Sequence, residues 1–146
     1  MAPWQASGIV YVSSKRAHRG RSNVVLGDRA NNGELVQTLT IPQDIAGAIL
    51  SYWWRIESED VLPMADSLQA LVQWDNGSIL LETLTNSDLR SLWRSSQFDL
   101  TFLRGKQITI AFLSQENAEE PTLFYLEDIQ LDVTEKPSYL PLLLHP

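Results

Sequence analysis

Residues 49–60 read ILSYWWRIESED and residues 67–75 read SLQALVQWD. In extended chain, side chains alternate between two faces. Trp53 and Arg55 then leave one side of the first stretch, and Leu50, Tyr52, Trp54 and Ile56 leave the other. In the second stretch Leu68, Ala70, Val72 and Trp74 share a side, opposite Gln69, Leu71, Gln73 and Asp75. If these two strands are neighbours, Trp53, Arg55, Gln69 and Gln73 form one outward surface. Its chemistry is recognition rather than reaction. A flat indole stacks on the apolar face of a sugar or peptide, while planar amide and guanidinium groups pair with hydroxyls. These four residues are the candidate ligand contacts, for a glycan or for a neighbouring protein domain. A half-covered surface tryptophan that binds nothing would give the same pattern.

Groups that could do catalysis are scarce. The only histidines are His18 and His145, there is no cysteine, and no G-x-S-x-G, H-E-x-x-H or phosphate-cradling glycine loop occurs. Glu57 with Asp66 is a carboxylate pair of the kind that hydrolyses glycosides, and only their separation in space decides it. The expectation is a binding module, not an enzyme. A net charge of −7 and a pI near 4.7 oppose nucleic acid as the partner. Lys15, Arg16, Arg19, Arg21 and Arg29 read as a solvated basic loop, and residues 57–66 and 115–120 as solvated acidic ones. No apolar run has the length of a membrane span, so membrane insertion is not expected. The start, MAPWQASG, shows neither a basic n-region nor an apolar h-region. That leaves a cytoplasmic protein or a domain of a longer exported chain.

The elements that must position these groups are strands. Nine β-rich runs fall at 8–14, 22–27, 34–41, 48–57, 67–75, 78–84, 95–102, 107–114 and 122–133, separated by Gly, Asn, Asp, Pro and Ser. Asp75-Asn76-Gly77-Ser78 predicts a tight hairpin in which Asn and Gly accept positive φ. A short helical turn is expected at 86–93, capped by Asn86 or Ser87. About nine strands in 146 residues predict an antiparallel sandwich whose core includes Tyr52, Trp54, Trp74 and Phe112. The domain is expected to span 1–133. Residues 134–146, ending PSYLPLLLHP, carry three prolines and form a tail whose Leu140 and Leu142 to Leu144 suit docking on the domain or on a partner.

LSYWWRI, SSQFDLTFLRGKQITIAF and FYLEDIQL, in this order over residues 8–133, resemble the jelly-roll β-sandwich modules of the galactose-binding-like, MAM-like and carbohydrate-binding-module superfamily. The resemblance implies an all-β jelly-roll of two antiparallel sheets, a non-catalytic accessory or adhesion role, and an extracellular or cell-surface setting in an exported bacterial protein. It names no single ligand, since the superfamily serves many. It also implies a structural calcium ion (Ca2+) near the closing strand, with Glu127, Asp128 and Asn31 as candidate ligands and carbonyls from His18 to Ser22. Simple alternation with Ile129 and Leu131 points Glu127 inward, where a hard cation would relieve the cost of a buried carboxylate. A bulge would bring Asp128 into play instead. An ion pair with Arg16, Arg19 or Arg21 would serve Glu127 without a metal.

Overall fold

The alternating runs pair into strands, as their period demands. A computed structural model describes residues 4–8, 10–13, 23–27, 32–58, 66–88, 92–116 and 122–136. Among them lie β1 (Gln5–Gly8), β2 (Val10–Ser13), β3 (Asn23–Gly27), β4 (Gly33–Thr40) and β5 (Ile45–Ser58). They are followed by β6 (Ser67–Trp74), β7 (Gly77–Thr85), β8 (Arg94–Asp99), a single 3-10 turn (Thr101–Leu103), β9 (Gln107–Gln115) and β10 (Thr122–Glu135). One sheet has the order β1-β4-β9-β6-β7 and the other β2-β3-β10-β5-β8, with antiparallel pairing throughout. This is the all-β jelly-roll sandwich of two antiparallel sheets.

The run expected at 8–14 divides, because β1 joins the first sheet and β2 the second. The chain thus contributes an edge strand to both layers within ten residues. Only a turn at Asn86 to Asp88 is seen of the short helix, and residues 89–91 lie outside the described set. Asn86 Oδ1 instead accepts from the Asp66 backbone N–H at 3.1 Å, joining the two ends of the β6–β7 hairpin. β10 runs two residues beyond the expected end at Val133, with Glu135 opposite Ile45. Lys15, Arg16, Arg19, Arg21 and Arg29 of the basic cluster, and the tail from 137, lie outside the described residues.

The core lies between the sheets. Leu35, Leu68, Val72, Ile108, Ile110 and Phe112 descend from one sheet, and Leu26, Leu50, Tyr52, Ile56, Phe124 and Leu126 from the other. Each such buried side chain stabilises by about 1.5–3 kcal/mol relative to exposure. Tyr52 meets Phe112 edge-on at 5.0 Å, and the Trp54 indole N–H donates to Ser96 Oγ at 3.0 Å. Trp74 is half-buried, packing against the edge of the core and meeting Phe102 edge-on at 6.0 Å.

Two bulges set which groups face where. Between Leu71↔Leu80 and Ala70↔Glu82, β7 carries one extra residue, Leu81. The extra residue turns Glu82 inward beside Ala70, where its carboxylate accepts the Tyr52 hydroxyl proton. In β10 the ladder passes from Glu127↔Trp53 to Gln130↔Ser51, so Asp128 and Ile129 oppose Tyr52 alone. Asp128 sits at φ 52, the left-handed conformation that Asp tolerates better than most residues.

Candidate functional site

The four expected ligand contacts do not share a surface. β5, with Trp53 and Arg55, belongs to the second sheet, and β6, with Gln69 and Gln73, to the first. Both pairs point outward, but from opposite sides of the sandwich. Alternation holds in both strands, but β5 and β6 are not neighbours: β6 pairs with β7 on one side and β9 on the other.

The outer side of the second sheet is largely closed around Trp53. Trp53, Arg55, Glu127, Tyr125 and Val25 share that side through the pairings Glu127↔Trp53, Tyr125↔Arg55 and Tyr125↔Val25. Val25, Tyr125 and Glu127 are buried although they point away from the core. Arg55 is committed locally, donating through Nε to Glu57 Oε1 at 2.9 Å. Trp53 is half-buried and already in contact with other groups.

The first sheet presents the open side. The pairings align Gln5, Val36, Ala111, Leu71 and Leu80 across five strands as one row. A second row is Thr38, Thr109, Gln73 and Ser78, and a third is Ser7, Glu34, Leu113, Gln69 and Thr83. Val36, Ala111, Leu71 and Leu80 thus form a small apolar stripe, bordered by amides and hydroxyls and, in the third row, also by Glu34 and Leu113. Gln73, Thr38, Ser78 and Thr83 are exposed, and Leu80 is 54% exposed. Thr38 and Thr109 hydroxyls bond across the strands at 2.9 Å.

At one end of the sandwich, the β6–β7 turn and the segment entering β9 border a cleft of about 220 Å³ lined by Trp74, Asp75, Asn76, Gly105, Lys106 and Gln107. The hairpin forms as expected but by different means. The ladder closes at Trp74↔Gly77, the loop is Asp75-Asn76, and neither Asn76 nor Gly77 has positive φ. Gly77 leaves room for the indole: a Cβ there would stand 3.1 Å from Trp74 Cζ2, so the ring would have to shift. Gly105, in contrast, does have positive φ, at 79°. A separate cavity of about 360 Å³ lies between the sheets, walled by Trp4, Leu39, Leu50, Ile110, Ile129 and Leu131, with Gln37 and Gln130. Its mostly apolar wall extends the core rather than offering groups for a polyol.

Of the candidate calcium ligands, Glu127 and Asp128 are among the described residues. The bulge at Asp128 sends Ile129 and Leu131 inward while Glu127 stays opposite Trp53 on the outer side, which corrects the inward orientation expected for Glu127. Asp128 points to solvent, and Asn31 lies outside the described residues. Among the described residues no group of three or more Asp, Glu, His or Cys side chains gathers as a metal site. Glu127 is 4% exposed and has interactions of its own. The carbonyls from His18 to Ser22, like Asn31, lie outside the described residues, which leaves Glu127 and Asp128 as the described part of the calcium site that the resemblance implies. The Glu57–Asp66 pair does not fit catalysis: Glu57 is held by Arg55, and Asp66 is 0% exposed with its Oδ2 accepting from the Thr122 hydroxyl.

No family model matches the chain, and no curated sequence does. Solved structures share its fold. The carbohydrate-binding module TmCBM61, solved with β-1,4-galactotriose, aligns with TM-score 0.67 and 17% identity over 90% of this chain and 89% of its own. The CBM22-1 xylan-binding domain of Paenibacillus barcinonensis Xyn10C aligns with TM-score 0.58 and 17% identity over 92% and 87%. A family 16 carbohydrate-binding module aligns with TM-score 0.56 and 13% identity over 84% of each chain. At these identities the likeness is one of fold.

Proposed function

We propose that this domain is a non-catalytic glycan-binding module and that its contact surface is the outer side of the β1-β4-β9-β6-β7 sheet. One observation carries the reading: on that side half-buried Val36 and Leu71, buried Ala111 and the 54% exposed Leu80 form an apolar stripe flanked by Thr38, Gln73 and Ser78 in one row and by Glu34, Gln69 and Thr83 in the other. A sugar chain has the matching character, with C–H faces to cover apolar groups and hydroxyls that both donate and accept. The fold shared with carbohydrate-binding modules supports the reading. Of the residues expected from sequence, Gln69 and Gln73 belong to this surface, and Trp53 and Arg55 do not.

The test is a glycan array followed by calorimetry on the best oligosaccharide. Gln73→Ala is expected to weaken binding by about 1 kcal/mol, the worth of one or two neutral hydrogen bonds. Trp53→Ala should leave affinity unchanged in correctly folded protein. Loss of binding in Trp53→Ala with none in Gln73→Ala would place the site on the other sheet and overturn the proposal.

A further inference from the structure

The structure assigns a second, smaller subsite to the same module: the cleft at the β6–β7 turn binds a single neutral pyranose ring, with Trp74 as its wall. The inference rests on the glycan-binding reading and adds a separate place and a narrower ligand class. A volume of about 220 Å³ is below the roughly 300–1,000 Å³ of pockets that enclose drug-sized ligands, so one ring rather than a chain is the fitting occupant.

The cleft is preorganised. Phe102 meets the Trp74 ring edge-on at 6.0 Å and 81°, and Gly77 lies against the indole from the other hairpin strand. Opposite, the Lys106 backbone is held on both sides, donating to Leu103 O at 3.0 Å and accepting from the Ile41 N–H at 3.0 Å. Gly105 donates to Ile41 O at 2.7 Å. An aromatic wall and a fixed backbone limit the ordering cost on binding.

The polar groups are available. Among the described residues the side chains of Asp75, Asn76, Lys106 and Gln107 make no hydrogen bond or ion pair, unlike the Arg55–Glu57 pair on the other sheet. Together they offer a carboxylate acceptor, an ammonium donor and two amides that do both. Vicinal hydroxyls need both kinds of partner, and an indole accepts the apolar face of the ring. One cation and one anion leave the cleft without net charge, and the chain carries −7 overall, so a neutral sugar is favoured over a uronate.

The test is an amide and indole NMR titration of the full chain with D-galactose, D-glucose, D-xylose and D-glucuronate, repeated with β-1,4-linked oligomers. A neutral monosaccharide should shift the Trp74 indole and the Asn76 and Gln107 amides, leaving the Trp53 indole in place. Asn76→Ala, in an exposed turn, should lower that affinity about tenfold, as expected for one or two lost hydrogen bonds. Oligomer shifts at Gln69 and Gln73 with no monosaccharide response at Trp74 would overturn the subsite and leave the sheet surface standing. Silence towards every saccharide would overturn both. Tighter binding of glucuronate than of the neutral sugars would overturn the ligand class.

Discussion

Tyr52→Phe isolates the polar link between the two sheets. The Tyr52 hydroxyl donates to Glu82 Oε1 across the core, and the ring itself packs on Phe112 and Phe98. Phenylalanine keeps the ring contacts and removes the donor. A hydrogen bond to a charged acceptor is worth about 1.5–3 kcal/mol, so denaturant unfolding at pH 7 should show a loss in that range. At about 2–4 °C per kcal/mol for a chain of this size, the midpoint temperature should fall by roughly 3–12 °C. The pH dependence gives a second, independent reading. Burial first, and the Glu82 carboxylate next, hold the Tyr52 hydroxyl well above the usual tyrosine range. Its folded pKa is raised, so its contribution is complete below the unfolded value of about 10 and declines as pH rises beyond it. The decline should approach about 1.4 kcal/mol per pH unit, and it should be missing from Tyr52→Phe. If wild type and variant lost stability in parallel between pH 9.5 and 11, the buried Tyr52–Glu82 link would be refuted. Glu82→Gln, which keeps an acceptor oxygen, should cost less than Tyr52→Phe, and a double-mutant cycle measures the coupling.

Three further outcomes are expected. Gly105→Ala places a side chain at φ 79 against Gln43 Oε1 and should destabilise by about 1–2 kcal/mol in urea unfolding; an unchanged midpoint would contradict the turn geometry. Gly77→Ala has ordinary φ and should cost little stability, but its Cβ, 3.1 Å from Trp74, should displace the indole and change the near-UV circular dichroism; an unaltered spectrum would count against that packing. Asp99 Oδ1 accepts from the Thr101 hydroxyl and from its N–H, and these bonds hold the carboxyl below the usual aspartate range. Its folded pKa is lowered, so this contribution is present above the usual range and lost as pH falls through the folded value. Carbon-detected NMR titration should show the low midpoint, and Thr101→Val should raise it.

Much of the strand content was legible because alternation is a local property. LSYWWRI needs only its own backbone to send Tyr52 and Trp54 one way and Trp53 the other, and burial follows that division. Asp75-Asn76-Gly77 announced a hairpin, although Gly77 serves by leaving space for Trp74 rather than by adopting positive φ. The early run at 8–14 looked like one strand because nothing local marks the passage from one sheet to the other.

The candidate site was half legible for the same reason. Gln69 and Gln73 could be placed on an outward face, but their neighbours could not, since Thr109 and Thr38 come from strands more than thirty residues away in either direction. The cleft joins Asp75 and Asn76 to Lys106 and Gln107, and no spacing in the chain links those pairs. Glu127 shows the limit most clearly: alternation points it inward, and one bulge at Asp128 keeps it outside. The sequence by itself determined the period, the turns and the apolar faces, because these follow from backbone geometry over a few residues. Which strands lie side by side, and where a ladder takes up an extra residue, was decided only in three dimensions. There the pairing of every strand must close one core, and β5 and β6 end on opposite sheets because each buries its apolar face against the other layer.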